Sequence, residues 1–160
     1  ERKWDISRVA RPYMEHLSQR TGASVMLSIC EGGSVITLDQ VEARDKLRIV
    51  SDAGARLPIY CTSQGKVFLA HMPRAQAEKL LRRQSMTQFT PHTITDVSAL
   101  LQEVDACRTD GFAIENGEYK IGLGVIGMFR STHSDEFRSA VEQVCATAAM
   151  ISAALGYREA

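Results

Sequence analysis

Residues 56–70, with the sequence RLPIYCTSQGKVFLA, predict a short strand, a polar turn and the start of an amphipathic helix. Pro58 ends any helix upstream, because proline fixes φ and has no backbone N–H, and Ile59 and Tyr60 suit a pleated strand. The helix is expected to begin near Gln64, where the first backbone N–H groups have no partner inside the helix and carry partial positive charge. The stretch therefore predicts a corner that can hold a small anion.

Length and charge indicate one ordinary globular domain. The chain has 160 residues, of which 44% are apolar and 24% charged, and this is enough to bury a core. Lys plus Arg and Asp plus Glu number 19 each, so the formal net charge is zero. Such a chain has no long-range attraction to nucleic-acid phosphates or to an anionic membrane surface. It also contains no apolar run of about 20 residues that could span a bilayer. We therefore expect no membrane and no direct contact with DNA.

The cysteines and histidines predict neither a metal site nor a cofactor. The four cysteines are scattered without a CxxC pair, which excludes zinc-ribbon and redox motifs. Each is flanked by apolar residues, as a reduced, buried thiol would be. The four histidines are spread out without the spacing of metal ligands. Reduced cysteines, and a charged N-terminus without the apolar region of a signal peptide, favour a cytoplasmic protein.

The first third of the chain predicts a helix followed by strands. Apolar residues recur at helical spacing over residues 5–21, and Pro12 predicts a kink or a break inside this helix. Residues 24–31 and 34–41 are β-rich runs joined by two glycines that accept positive φ, which predicts a hairpin. A third short strand is expected over residues 46–51.

The rest of the chain predicts mainly helices. We expect helices from Gln64 to Met72 and from Ala75 to Arg83, and a longer one that Thr95 or Asp96 caps and that ends near Gly111. Further expected elements are a strand over residues 112–115, a turn at Asn116-Gly117, a strand over residues 125–129 and a final helix capped by Ser134. The apolar side of that helix is formed by Phe137, Val141, Val144, Cys145, Ala148, Ile151 and Leu155. This order predicts an α+β fold, in which an antiparallel or mixed sheet packs against helices.

Several segments, in their order and spacing, resemble the effector-binding domain of IclR-type transcriptional regulators. They are RPYMEHLSQRT (11–21), GSVITLDQVE (33–42), residues 57–70, PHTIT (91–95) and GFAIENGE (111–118). A string such as LP-x6-GK alone would match many proteins, but the combination covers nearly the whole chain. The resemblance implies a GAF-like fold, which is an antiparallel sheet sandwiched by helices, with a small-molecule pocket.

The same resemblance implies a function. The domain would sense a small organic or aromatic acid without catalysis and would form a homodimer or tetramer. Residues 1–22 would be a linker helix that transmits the signal, and residues 23–160 would be the effector-binding domain. DNA would be contacted only through a winged helix-turn-helix domain, which this chain does not contain.

The chain also departs from the family pattern near its last predicted strand. The family has an extra hairpin between the strand at Val125 and the final helix, whereas here residues 124–130 lead almost directly to that helix. Either a loop is missing from this sequence or the sheet is truncated. The first explanation fits better, because a central strand is hard to delete without exposing the core.

Matching positions imply which residues line the pocket. The apolar wall would be formed by Ile49, Leu57, Leu123 and Val125. Polar contacts would come from Thr62, Ser63 and Gln64, largely through backbone N–H groups, and from Glu115. This mixture of an apolar lining and a few placed polar groups is typical of ligand pockets. Each residue also has a purely structural alternative: Thr62 or Ser63 caps the helix, and the apolar residues pack in the core.

Glu115 and Cys61 are the ionisable candidates. A carboxylate at position 115 would repel an anionic ligand unless it is protonated or bridged by a donor, or else it pairs with Lys66 or an arginine. Cys61 could face the pocket, but a thiol sensor needs a lowered pKa, and a buried, inert thiol is the simpler interpretation. Val125, where the family can have a cysteine, makes the pocket more apolar and favours an aromatic acid over a two- or three-carbon acid.

Two other functions are compatible with the residues. A GAF-type sensor could be fused to a different output domain, which only the sequence before Glu1 would decide. A thiol hydrolase could use Cys61 with His71 or His92, but the chain has no GxSxG elbow, and such a nucleophile also needs a third group that orients its base.

Overall fold

The structure, a computed structural model, describes residues 2–43, 54–119 and 134–156. These residues form five α-helices and three β-strands. In chain order they are α1 (Arg2–Thr21), β1 (Val25–Glu31), β2 (Ser34–Val41), β3 (Arg56–Pro58), α2 (Ser63–Ala70), α3 (Arg74–Arg82), α4 (Val97–Asp110) and α5 (Asp135–Ala154). The predicted α+β class is therefore confirmed. No helix in these ranges is long and apolar enough to cross a membrane.

The three strands form one sheet in the order β1-β2-β3. Gly32 and Gly33 join β1 to β2 with φ angles of 60° and 77°, a left-handed conformation that glycine adopts without steric cost. The predicted hairpin is therefore confirmed. β2 and β3 are antiparallel, and Val35 lies opposite Leu57.

The prediction that Ile59 and Tyr60 belong to a strand is wrong. β3 ends at Pro58, and Ile59 and Tyr60 lie in the turn that leads to α2, where both are buried. Pro58 has no N–H to donate to a neighbouring strand. The side chains of Ile59 and Tyr60 therefore pack in the core from the turn and do not belong to the sheet.

The strand predicted over residues 112–115 is also wrong. These residues belong to no strand, and the carbonyl oxygen of Ile114 accepts a hydrogen bond from the side chain of Lys66 at 3.1 Å. A side chain thus occupies an acceptor that a strand would offer to its neighbour. The strands predicted over residues 46–51 and 125–129, and the expected gap at residues 124–130, lie outside the described residues.

Internal contacts divide the chain into two compact units. The first unit comprises Glu1–Leu27, Thr37–Gly54 and Ile126–Ala160, and the second comprises Ser28–Ile36 and Ala55–Val125. In the first unit α1 packs against α5. Its core consists of the buried residues Ala10, Met14, Leu17 and Val25, against which Ile151 of α5 packs.

α1 runs without interruption through Pro12, so a break at this position is wrong. Pro12 is exposed, whereas Met14 in the same turn is 2% exposed. Proline removes one intrahelical hydrogen bond, and burial of the apolar face supplies the stability that local propensity lacks.

α5 begins where the sequence predicts, because Ser134 Oγ accepts a hydrogen bond from the backbone N–H of Phe137 at 3.1 Å. Its predicted apolar face is only partly covered by the described residues. Val144 is 39% exposed and Ala148 is also exposed. Ile151 is the residue of this face that packs onto the core of the first unit.

In the second unit α2, α3 and α4 surround a larger core. Its completely buried members are Val35, Ile59, Cys61, Leu69, Ala77, Leu81, Leu100 and Val104. α4 is capped as predicted, since Asp96 Oδ1 accepts a hydrogen bond from Ala99 N at 2.7 Å and Gly111 ends the helix with φ of 80°. α2 and α3 begin within one residue of their predicted starts.

Candidate functional site

The turn before α2 is held by its own polar side chains. Thr62 is the N-cap: its Oγ1 accepts a hydrogen bond from Gly65 N at 3.2 Å and donates one to the Pro58 carbonyl at 2.9 Å. Of the two caps that the sequence leaves open, Thr62 is therefore the one used. Ser63 and Gln64 follow as the first residues of the helix and are partly buried. Among the described residues no acceptor pairs with their backbone N–H groups, so these donors are available to an anion.

Gly65 allows α2 to approach the turn closely. A Cβ atom at this position would lie 2.0 Å from the carbonyl oxygen of Ile59 and 2.7 Å from its Cα. Ile59 is completely buried, so the backbone cannot move aside without disturbing a close-packed core. Glycine is therefore required at position 65.

Lys66 is a buried cation, with 1% of its surface exposed. Its Nζ donates to Glu118 Oε1 at 2.6 Å, to Glu103 Oε2 at 3.0 Å and to the Ile114 carbonyl at 3.1 Å. An ammonium group has three donors, so each has a partner. Through these contacts Lys66 joins α2 to α4 and to residues 112–119.

Residues 112–119 carry two buried or partly buried acidic side chains. Glu115 Oε1 accepts a hydrogen bond from Tyr119 N at 3.2 Å. Glu118 is 5% exposed and uses Oε1 for Lys66, while its Oε2 is buried and has no hydrogen-bond partner among the described residues. A buried acceptor without a partner is costly, and a ligand donor at this place would satisfy it.

Two threonines hold these residues in position. Thr90 Oγ1 donates to the Gly117 carbonyl at 2.7 Å, and Thr93 Oγ1 donates to the Glu118 carbonyl at 2.5 Å. The turn at Gly117 has φ of 70°, as the predicted Asn116-Gly117 turn requires. The placement of the two carboxyl groups is thus determined by the loop that precedes α4.

The ionisation of Cys61 and Glu115 is shifted in the same direction. Burial, and then the nearby carboxyl groups of Glu115 and Glu118, raise the pKa of the Cys61 thiol to about 12, against an opposing effect of Lys66. Burial also raises the pKa of Glu115 to about 7. The hydrogen bond from Tyr119 and the charge of Lys66 work against that shift, and the charge of Glu118 adds to it. Glu115 therefore holds its proton at a higher pH than an exposed glutamate does.

The structure places the predicted polar site residues together in the second unit. Thr62, Ser63 and Gln64 lie at the N-terminus of α2, and Cys61 directly precedes them. Glu115 follows Ile114, whose carbonyl accepts a hydrogen bond from Lys66 of α2 at 3.1 Å. Leu57 is partly buried and packs against the core, as its structural alternative expects. The predicted wall residues Ile49, Leu123 and Val125 lie outside the described residues. Within the described ranges no group of His, Cys, Asp and Glu side chains is arranged to hold a metal ion.

Lys66 and Glu118 are the two functional candidates that sequence reasoning did not place. The sequence offers Lys66 or an arginine as a partner of Glu115, and the pairing with Lys66 is wrong because the ammonium forms its ion pairs with Glu118 and Glu103. One signal was available: Lys66 is three and four residues from Leu69 and Ala70, and so lies on the buried face of the helix.

The cap of α2 gives a stability prediction. Replacing Thr62 by alanine should cost about 1–2 kcal/mol of folding free energy, because the variant loses the bonds to Gly65 N and to the Pro58 carbonyl. For a domain of this size that corresponds to a drop in Tm of roughly 3–6 °C.

Thermal unfolding of matched variants would check this prediction. Thr62→Ser keeps the hydroxyl and should lose less than half as much stability as Thr62→Ala. Thr109→Ala removes an exposed threonine whose hydroxyl bonds the carbonyl of Asp105 within α4 and should be nearly neutral. Equal losses for Thr62→Ser and Thr62→Ala would show that the hydroxyl is not the stabilising group.

Comparisons with known proteins give one consistent result. Residues 2–155 match the family model described as bacterial transcriptional regulator IclR C-terminal. The chain is 27% identical over 172 aligned residues to the HTH-type transcriptional repressor AllR of Escherichia coli, with 96% of this chain and 64% of the relative covered. The chain thus spans slightly less than two thirds of the length of that relative.

Solved structures agree with the family match. The Thermotoga maritima IclR structure superposes with a TM-score of 0.86 at 26% identity, covering 95% of this chain and 69% of that one. A double mutant of the inducer-binding domain of the Acinetobacter transcription factor PobR, in complex with 3-hydroxybenzoic acid, gives a TM-score of 0.65 at 25% identity. That match covers 72% of this chain and 68% of the other.

Proposed function

The chain belongs to the IclR C-terminal family of bacterial transcriptional regulators, and from this premise we propose that it is the effector-binding and oligomerisation domain of such a regulator. The effector is a small organic or aromatic acid. DNA is read by a winged helix-turn-helix domain outside these 160 residues, and the regulator works in the cytoplasm as a homodimer or tetramer.

The observation that supports this proposal best is the pair of unbonded backbone N–H groups at the N-terminus of α2, where the turn meets the helix. The backbone N–H groups of Ser63 and Gln64 are without acceptors among the described residues, and they lie at the positive end of a helix. The ligand carboxylate binds there. Lys66 of α2 donates to Glu118 Oε1 and to the Ile114 carbonyl, so the segment that carries Glu115 and the unpartnered Oε2 of Glu118 contacts this helix. These carboxyl groups accept hydrogen bonds from a ligand hydroxyl or from a proton on the acid. The complex of PobR with 3-hydroxybenzoic acid gives the class of acid to test first.

The domain acts without catalysis. A thiol hydrolase needs a thiolate, and a Cys61 thiol with a pKa of about 12 is almost wholly protonated at neutral pH. Cys61 is also completely buried, so it is a packing residue beside the site and not a nucleophile.

The effector signal leaves through residues 1–22, and the remaining residues 23–160 bind the ligand. α1 is tied to the sheet within its own unit, since Arg11 donates to Asp39 Oδ1 at 2.6 Å and to the Gln40 carbonyl at 3.3 Å. A ligand can shift DNA affinity only by binding two arrangements of the oligomer with different affinity. The helix is the element through which such a difference reaches a DNA-binding domain.

The test is a thermal-shift and calorimetric screen of the 160-residue protein. The panel contains benzoate, 3-hydroxybenzoate and 4-hydroxybenzoate on one side and glyoxylate and pyruvate on the other. At about 100 times Kd an effector stabilises the fold by about 2.7 kcal/mol, which is a rise in Tm of roughly 5–10 °C. We expect the aromatic acids to give this rise. Stabilisation by the short acids alone would contradict the aromatic assignment, and no stabilisation by any acid would contradict the proposed ligand class.

One substitution tests whether the acid binds at the N-terminus of α2 or elsewhere on the surface. Ser63→Asp places a negative charge at the first position of α2, where it favours the helix but repels a bound carboxylate. We expect an unchanged or slightly higher Tm and at least a tenfold loss of affinity for whichever acid binds. Ala75→Asp makes the same change in charge at the exposed start of α3 and should leave affinity unchanged. Unaltered affinity in Ser63→Asp would place the ligand elsewhere.

A further inference from the structure

We propose that the cleft between α1 and α5 binds a small zwitterion, of the size of one amino acid, with its carboxylate against α1 and its ammonium group against α5. The cleft lies within the first unit and shares no residue with the N-terminus of α2. The inference therefore goes beyond the proposed effector and does not depend on it.

The cleft is a cavity between two packed helices. Its volume is about 220 Å³, whereas pockets for drug-sized ligands occupy about 300–1,000 Å³, so it fits a smaller molecule. Thr147, one of its polar lining residues, is only 8% exposed. The shape of the cleft is thus determined by helix packing and not by a loop.

The α1 wall of the cleft favours a carboxylate. His16 and Arg20 line it, and their spacing of four residues places them on one face of the helix. Arg20 is exposed and forms no ion pair with the other described residues, so its guanidinium donors are available. A guanidinium group binds a carboxylate through two parallel hydrogen bonds.

The α5 wall offers acceptors to an ammonium group. Glu142 and Gln143 line it. Gln143 Nε2 donates to Ser139 Oγ at 3.1 Å, whereas Gln143 Oε1 is buried and has no hydrogen-bond partner among the described residues. A buried acceptor without a partner is costly. A ligand ammonium group has three donors, so it would satisfy this oxygen and also pair with the carboxylate of Glu142.

A zwitterion is the ligand that suits both walls. A simple carboxylate would meet Arg20 but share the cleft with Glu142, and a simple amine would meet Glu142 but share the cleft with Arg20. A zwitterion presents the opposite charge to each wall, and an aliphatic side chain on it would cover Leu17 and Met150, which also line the cleft. Since the ligand contacts both helices, its binding favours the state in which α1 packs against α5.

Calorimetric titration of the 160-residue protein with three compounds tests this charge pattern. They are L-leucine, 4-methylpentanoate, which lacks the ammonium group, and 3-methylbutylamine, which lacks the carboxylate. We expect leucine to bind with Kd of about 1 mM or lower. Both analogues should bind at least tenfold more weakly, because each leaves one wall without its partner. Absence of leucine binding, or an analogue that binds as tightly as leucine, would overturn the proposal.

Two variants assign the walls. Arg20→Gln and Glu142→Gln each remove one charge from an exposed side chain, and each should weaken leucine binding at least tenfold. Arg83→Gln at the C-cap of α3 and Glu136→Gln in the first turn of α5 make the same changes outside the cleft. Both controls should bind leucine as the wild type does.

The variants also distinguish a ligand site from a contact between copies of the chain. Leucine binding that survives Arg20→Gln and Glu142→Gln would show that leucine binds elsewhere, which overturns the proposal. Sedimentation velocity of the same variants measures self-association. If Arg20→Gln dissociates an oligomer and leaves leucine affinity unchanged, the cleft is an interface between copies and the proposal is wrong.

Discussion

Replacing Gly65 by alanine should destabilise the domain by about 3 kcal/mol or more, which is the upper end of the cost of overpacking a core. The new methyl carbon would lie 2.0 Å from the Ile59 carbonyl oxygen and 2.6 Å from its carbon. To relieve this overlap, α2 must move away from the turn that Thr62 caps. In urea unfolding the midpoint should fall sharply, and binding of aromatic acids should be lost, because the displaced helix no longer presents its N-terminus.

A second glycine provides the control. Gly111 has φ of 80° and nothing within 4 Å of an added Cβ, so Gly111→Ala tests backbone strain without a steric clash. It should cost about 1–2 kcal/mol, less than Gly65→Ala, and leave acid binding unchanged. If Gly65→Ala unfolds at the same urea concentration as wild type, α2 does not need to approach Ile59 as closely as the structure shows.

The parts of the fold that sequence predicts correctly are those governed by local chemistry. The hairpin follows from Gly32 and Gly33, because glycine alone enters their left-handed conformation without strain. Asp96 and Ser134 cap α4 and α5 through hydrogen bonds that span three residues. Such features are determined within a few residues and are visible in one sequence.

The wrong predictions concern segments whose structure depends on contacts with residues far away in the sequence. Residues 112–115 have a strand-like composition, but the Ile114 carbonyl accepts a hydrogen bond from the side chain of Lys66, which lies 48 residues earlier in the sequence. α1 continues through Pro12 because its buried face is held by the core of its unit. Neither effect can be seen from local periodicity.

The sequence predicts the part of the candidate site that is formed by neighbouring residues, but not the part that is formed by long-range contacts. Thr62, Ser63 and Gln64 are recognisable as polar residues at a helix start. The partner of Lys66 is not, because lysine is usually exposed and the choice between Glu115 and Glu118 depends on the turn at Gly117. That choice determines which carboxylate Lys66 neutralises.

Replacing Lys66 by methionine should destabilise the domain by about 3–5 kcal/mol, as expected when one partner of a buried ion pair is removed. Methionine fills much of the space, but the carboxylate of Glu118 would remain buried, with 7% of its side chain exposed. No other cation among the described residues is paired with it. The drop in Tm should be roughly 10 °C or more. Arg82→Met removes a cation whose side chain is 62% exposed and which pairs with Glu78, and it should cost less than about 1 kcal/mol.

A double variant tests whether the loss comes from the orphaned charge. Lys66→Met combined with Glu118→Gln removes both charges and should recover more than half of the stability that Lys66→Met loses. The coupling in such a cycle isolates the pair as long as each single change creates no new contact. If the two losses simply add, the ammonium acts through Glu103 and Ile114 and not through Glu118. In that case Lys66 would hold residues 112–119 in place by its carbonyl contact, and the position of Glu115 would depend on that one hydrogen bond.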